Sequence, residues 1–530
     1  MALNLTKNGA ALALITFAAS AVPMSVLADE ITLKSADGTV NLVGEFVEFT
    51  DNNYVIRTGL GDLRIAASRV RCEGDACPSF ETATADIHIA GSDTVGLGMM
   101  PLLLSGYAAH LEAEATVVAT GNDQDILVNF VSEGGFGDEI GSYLVSATGS
   151  NDAFATLLDG TSQIGMSSRR ITPPEARALR DSGAGNMVSP GQEHILAVDS
   201  LVVILHPNNP VQEITTAQLA DIYAGNITNW SELGGNNAPI TLMSHIDGSG
   251  TRSTFDERIF GETNGAVAAS AIAVDGSNEM AAAVNNDENA IGYVGYAFQR
   301  GAKAVTLVNE CGISMTPDAF SAKTEEYALQ RRLYLYNRGD AVDDTALNLI
   351  NYAISSDADG VIAKSGFIDL GVQARAQSLD GDRARSLLDP SVDAFEGGVM
   401  REMLGQMVDY DRLSTTFRFG TGSSRLDERS RVDMARLTDY LEAKPEGTKV
   451  MIVGFTDSLG AFESNRSLSV GRAEQVMQEL VAQADGRLTG IDFAAAGYGE
   501  IAPTACNTAE DGRAINRRVE VWIEASNDDA

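Results

Sequence analysis

Between residues 30 and 72, apolar and polar positions alternate, as in Phe46-Val47-Glu48-Phe49 and Tyr54-Val55-Ile56-Arg57. A period of two places every second side chain on one face, which predicts half-buried strands. Turn residues at Asp37-Gly38, Asp51-Asn52-Asn53 and Gly59-Leu60-Gly61-Asp62 break the alternation, so residues 29–84 are expected to form a small β domain. From residue 85 strands alternate with helices. Ala85-Asp86-Ile87-His88-Ile89 reads as a strand. A helix follows, with Pro101 in its first turn and Met100, Leu104, Tyr107 and Leu111 on one face. Val198 to Leu205 and Ile240 to Met243 read as further strands, and residues 85–372 form one α/β region. Residues 373–412 are charged and weakly patterned and are expected to be a linker, partly helical. A shorter βαβαβ unit occupies 413–526. Its strand Lys449 to Phe455 precedes a helix lined by Ala473, Val476 and Leu480, and Val519 to Ile523 is the last strand.

The first 28 residues depart from all of this. Lys7, the apolar run Ala10 to Val22 and the small-residue site Val26-Leu27-Ala28 before Asp29 have the layout of a secretory signal peptide. Residues 9–28 are nearly long enough to span a bilayer, but Pro23 and the short apolar core favour cleavage. No later segment resembles a transmembrane helix, so the mature protein is expected to be exported and not integral to a membrane.

Charge excludes one class of function. Lys and Arg number 37 against 73 Asp and Glu, a net charge of −36 over 530 residues. Duplex binding needs a basic footprint, and this field is the opposite. Four cysteines in an exported chain point to disulfides. Cys72 and Cys77 lie five apart with only His88 near, which favours a disulfide over a metal site. Cys311 and Cys506 read equally as two buried thiols or one interdomain bridge.

Four joints between strand and helix carry Gly, Ser and Thr. These are Gly91-Ser92-Asp93-Thr94, Gly149-Ser150-Asn151-Asp152, Gly165-Met166-Ser167-Ser168-Arg169 and Gly248-Ser249-Gly250-Thr251. A helix start leaves backbone N–H groups unpaired, and a hydroxyl adds another donor. One such cluster is ordinarily a plain N-cap; four converging in one region make an oxyanion site that needs no net positive charge.

Residues 85–371 resemble the periplasmic phosphate-binding proteins of the type II substrate-binding fold. The resemblance is carried by the first, third and fourth clusters, by Gln218 to Trp230 and by Ala290-Ile291-Gly292-Tyr293. It implies two lobes closing by a hinge over hydrogen phosphate or a similar oxyanion. By position, the contacts it implies are Asp93, Thr94, Ser150, Ser168, Ser249, Gly250 and Thr251. Three departures stand out. His245 occupies a place where many relatives carry Arg, Ser168 one where some carry a proton-accepting Asp, and Asp93 one where Ser or Thr is common. We therefore expect Asp93 to accept the ligand's proton and Arg252 or Arg169 to supply positive charge; a site that no longer binds is the competing expectation.

Residues 415–525 resemble the OmpA-like peptidoglycan-binding domain. The signature is Val453-Gly454-Phe455-Thr456-Asp457-Ser458-Leu459-Gly460, then Asn465 to Ala473, Gly497-Tyr498-Gly499-Glu500 and Gly512 to Glu520. Phe455 stands where His is frequent. Asp457 and Arg472 lie fifteen residues apart, as the family requires. The resemblance implies that they bind the diaminopimelate of a peptidoglycan stem, Asp457 taking its ammonium and Arg472 its carboxylate. Asn465 and Arg517 are expected to assist, and Arg518 and Glu520 to support the sheet. An internal Asp457–Arg472 salt bridge is the plainer alternative.

Catalytic readings find little support. None of the five His lies in a metal-binding pattern, no Gly-x-Ser-x-Gly elbow frames Ser249, and Gly134 to Gly141 matches no dinucleotide fingerprint. No catalytic residue, metal or cofactor is assigned, and Tyr223 and Trp230 read as packing residues. The expectation is a multidomain, non-enzymatic protein on the peptidoglycan side of the periplasm. It has a small N-terminal β domain, a two-lobed type II periplasmic-binding-protein fold and a C-terminal α/β OmpA-like domain. The implied partners are phosphate, peptidoglycan and an ABC permease. The alternative is a structural envelope protein whose two-lobed domain binds another partner or no anion.

Overall fold

The computed structural model describes residues 30–525 apart from 36–40, 51–52, 67–69, 75, 78–84, 119, 121, 123, 133–137, 262–264, 342, 380, 389–392 and 420–428. The expected signal peptide, the turn at Asp37-Gly38 and residues 134–137 of the glycine-rich run lie outside the described residues. The N-terminal strands Glu30–Lys34, Asn41–Thr50, Asn53–Thr58, Gly61–Ala66 and Arg71–Glu73 form one antiparallel sheet. Among the described residues its core holds only Ile31, Leu33, Tyr54 and Ile56 buried, and Cys72 and Cys77 are disulfide-bonded at its rim. A core that small gains from a covalent staple.

In the α/β region, strand Ile87–Gly91 runs parallel between Glu139–Ser146 and Ile164–Ser167, forming the centre of the first lobe. The second lobe is built on Thr241–His245 and Ala290–Gly295. A single 13-residue strand, Glu193–Leu205, joins the two. It pairs with Gln330–Tyr336 up to Ser200 and with Ala290–Gly295 from Leu201 onward. Glu193–Leu205 and Gln330–Tyr336 are thus the hinge strands. Val202 and Ile204 face a core shared with the first lobe, while Leu201, Val203 and Leu205 face the second lobe's own core. Burial on both faces explains why this stretch reads as nearly continuous apolar sequence.

The C-terminal sheet runs in the order Ala374–Arg375, Tyr410–Arg418, Arg518–Glu524, Lys449–Gly454, Asp492–Gly497. Helices Arg429–Glu442 and Phe462–Gln483 cover one face of it. The other face corrects the linker expectation for 373–412. Helix Ala394–Asp409, capped by Asp393, lays Val399, Met400, Met403 and Met407 against Met451, Val453, Phe455 and Trp522. Strand Lys449–Gly454 is apolar on both sides, so a second layer is required. The helical period of Ala394–Asp409 is hard to read because Gly397-Gly398 and charged residues interrupt it.

This domain is docked on the α/β region. Cys506 is disulfide-bonded to Cys311 of the second lobe, which resolves the two readings in favour of a bridge. Arg412 pairs with Glu326, just before the second hinge strand, at 2.7 Å and with the buried Glu520 at 3.1 Å. Arg436 reaches Asp359 at 2.7 Å and the Ile354 carbonyl, both beyond that strand. No helix among the described residues is long and apolar enough to cross a membrane.

Candidate functional site

Helix starts from both lobes meet in the cleft between them. Ser92 caps helix Asp93–Gly98, Gly149 precedes helix Ser150–Asp159, and Ser249 caps helix Gly250–Phe260. Across the cleft, Thr94 Oγ1 lies 3.3 Å from Thr251 Oγ1. Within the first lobe, the Ser168 N–H donates to Ser150 Oγ at 3.1 Å, and the two hydroxyls are also 3.1 Å apart. Gly250 of the second lobe sits directly over this pair: a Cβ there would stand 2.3 Å from both hydroxyl oxygens. The missing side chain is what lets the lobes meet. Thr94, Ser150, Ser168, Ser249 and Thr251 are all buried. A cavity of about 230 Å³ lies beside them, lined by Asp93, Thr148, Gly149, Asp247, Ser249 and Asp275. The seven residues singled out in the α/β region therefore come to one cleft.

Charge is arranged differently from expectation. Arg169 is held by Glu175 at 2.6 Å and by Asn151. Arg252 is held by Asp256 at 2.8 Å and by Ser244 Oγ and the His245 carbonyl. The guanidinium that reaches a cleft hydroxyl is that of Arg331, at the start of the second hinge strand. Its Nη1 donates to Thr251 Oγ1 at 2.9 Å, and its Nε and Nη2 donate to Asp199 Oδ2 on the first hinge strand at 2.9 and 2.7 Å. His245 donates Nε2–H to the Tyr293 carbonyl. Burial, with the nearby Arg331 and Arg252 charges, pulls its pKa down to about 4, so it is neutral at neutral pH. Asp93 is partly buried at the cavity wall, and its Oδ1 is covered and without a hydrogen-bond partner. Burial raises its pKa above the ordinary carboxylate value, against the pull of backbone N–H groups and the Arg331 charge.

The C-terminal domain holds a second cluster. Arg517 Nη1 donates to Asp457 Oδ2 and Nη2 to Glu510 Oε1, both at 2.8 Å. Asp457 Oδ1 accepts the Leu459 N–H, and Asn465 Nδ2 donates to the Asp457 carbonyl and to Glu500. Arg472 lies with its guanidinium 5.0 Å over the Phe419 ring. Burial and the Arg517 charge lower its pKa, and the Asp457 charge opposes them. Asp457 is therefore gripped by Arg517 rather than spent in the internal Arg472 bridge. The helix carrying Asn465 and Arg472 is set by close backbone approach, since a Cβ on Gly454 would stand 1.9 Å from the Ser469 carbonyl. Arg518 and Glu520 are fully buried and paired at 2.8 Å. Phe455 packs on Arg518, with its ring 4.1 Å from the guanidinium. Among the described residues, no group of His, Cys, Asp or Glu is placed to hold a metal ion.

Residues 78–357, just over half of the chain, match the family described as PBP superfamily domain. The chain belongs to the PBP superfamily. Residues 418–517 match the OmpA family. The phosphate-binding protein PstS of Bacillus subtilis (strain 168) is 28% identical over 306 residues, which is 57% of this chain and 87% of that protein. Outer membrane porin F of Pseudomonas fluorescens is 40% identical over 116 residues, 22% of this chain; the chain spans about a third (34%) of that porin. Among solved structures, an ABC-type phosphate transport receptor from Vibrio cholerae is 25% identical over 53% of this chain and 99% of that one, with a TM-score of 0.39.

Within this PBP superfamily domain, sequence reasoning overlooked Arg331 and Asp199. Each is a lone inward charge in an apolar strand: Asp199 interrupts the run from Ile195 to Leu205, and Arg331 opens the strand Gln330–Tyr336. Two opposite charges in strands that pair with each other signal a buried ion pair, and that signal was available.

Proposed function

We propose that this protein captures phosphate between its two lobes, is held noncovalently to peptidoglycan by its OmpA family domain, and offers the captured anion to an ABC-type permease. It works in the periplasm, on the wall side of the envelope, as a binder with no chemical step. One observation carries the reading: helix starts and hydroxyls from both lobes converge with a guanidinium on a single buried point. The resemblance to PstS supports phosphate as the anion. The grip of Arg517 on Asp457, with Arg472 nearby, supports recognition of a group bearing both an ammonium and a carboxylate.

Asp93 supplies the selectivity in this reading. Hydrogen phosphate carries a proton that an ionised Asp93 Oδ1 can accept, whereas sulfate has none to donate and is repelled. A second reading, a structural envelope protein, draws on one observation, the neutral His245 where a cation is frequent. Isothermal titration calorimetry of the full-length protein, stripped of ligand by unfolding and refolding with its disulfides intact, separates the two. Phosphate-selective heat supports capture; a folded protein silent toward both phosphate and sulfate supports the structural reading.

A further inference from the structure

We propose that Arg331 is a direct ligand of the bound oxyanion, giving it two charge-assisted hydrogen bonds, and that Asp199 is its positioning residue. The inference rests on the phosphate reading above and names the cation of that site.

The Arg331 side chain is 3% exposed and that of Asp199 fully buried. A guanidinium has five N–H donors. Three have partners among the described residues: Nε and Nη2 donate to Asp199 Oδ2, and Nη1 donates to Thr251 Oγ1. One donor remains on each terminal nitrogen. That pair is the fork a planar guanidinium offers to two oxygens of one tetrahedral anion. Asp199 cannot turn away to release Arg331, because its Oδ1 accepts the Tyr296 N–H at 2.9 Å. Thr251 Oγ1 accepts from Arg331, which directs its own proton toward Thr94 and the cleft.

The other cations nearby are committed elsewhere: Arg169 to Glu175, Arg252 to Asp256, and His245 is neutral. A fully buried ion pair is a costly way to brace a hinge, where apolar residues of equal volume would serve as well or better. Its retention beside the buried hydroxyls of the cleft is explained if the guanidinium meets an anion. The position also couples binding to closure. Arg331 belongs to a hinge strand, and it contacts Thr251 of the second lobe where that residue meets Thr94 of the first.

The test is calorimetry of the full-length protein with inorganic phosphate, comparing the unsubstituted chain with the double variant D199N/R331Q, which leaves no charge buried alone. Circular dichroism and thermal unfolding report its fold. We expect the folded double variant to lose about 100-fold or more in phosphate affinity. Wild-type affinity in the folded double variant overturns the proposal. Should that variant not fold, R331K decides, since it keeps the ion pair and loses the fork. A loss of about tenfold or more supports the proposal, and unchanged affinity overturns it. No binding by the unsubstituted protein overturns the phosphate reading, and this inference with it.

Discussion

Arg331 and Arg332 are neighbours on one hinge strand and engage opposite sides of it. Arg331 grips Asp199 and Thr251 in the cleft. Arg332 pairs with Glu325 at 3.2 Å and lies 3.6 Å from Asp433 of the C-terminal domain. The two-residue period of a strand thus divides two tasks between adjacent, chemically identical side chains.

Arg332→Gln should therefore leave phosphate affinity within about twofold of wild type and weaken the domain interface by about 1–2 kcal/mol, discounted for the partly exposed Asp433. Calorimetry and thermal unfolding on one preparation check both halves. A loss of phosphate binding comparable to that of an Arg331 variant would show the two faces are not separate.

Asp93→Asn should remove the preference for phosphate over sulfate above the pKa of Asp93. Burial raises that pKa in the folded protein, so over the window between the unfolded and folded values the native state keeps a proton that the unfolded chain has released. Stability of the ligand-free wild type then falls as pH rises through that window and stays lower above it. The Asn variant lacks this titration and should be the more stable of the two at pH 7. Thermal unfolding from pH 4 to 8, with titrations of both anions at pH 5.5 and 8, checks the sign.

Gly250→Ala should disturb binding and spare the fold. The new Cβ would crowd Ser150 and Ser168 across the cleft, and overpacking of about 1–3 kcal/mol corresponds to roughly a 5- to 150-fold loss of phosphate affinity. The open protein keeps its helix, since Ala is a better helix former than Gly. An unchanged affinity would mean the lobes do not close on Gly250.

Asp457→Ala or Arg472→Ala should abolish co-sedimentation with isolated sacculi while phosphate titrations stay as in wild type. Arg517→Ala should follow them, because Arg517 holds the Asp457 carboxylate. Retention of any of these variants at wild-type level in the pellet would remove that residue from the wall site.

Cys311→Ser with Cys506→Ser should cost about 2–4 kcal/mol of stability. The single unfolding transition of the oxidised protein should then separate into two as the C-terminal domain melts apart from the lobes. Calorimetric scans show either outcome directly.

Much of this protein was legible along the chain. Capping residues and glycines at helix starts are relations between near neighbours, and local backbone geometry fixes what such patterns do. The seven cleft residues could be named from the positions they hold in the resemblance to the phosphate-binding proteins, and the four of the C-terminal cluster from the OmpA-like signature. The stretch 373–412 reads as a partly helical linker, and the packing of helix Ala394–Asp409 escapes that reading because its apolar face has meaning only against the second face of a sheet formed by other residues. Which guanidinium reaches Thr251 in the cleft was likewise decided at long range. Arg331 meets Asp199 across 132 positions, and Cys311 meets Cys506 across 195. By itself, the sequence determined the three kinds of domain, the capped helix starts of the cleft and the residue types of the C-terminal cluster. Only the tertiary structure decided that Arg331 reaches Asp199 and the Thr251 hydroxyl, and that the C-terminal domain is fastened to the hinge. A buried charge must find its compensation in space, and the partner that supplies it belongs to whichever distant strand the fold brings alongside.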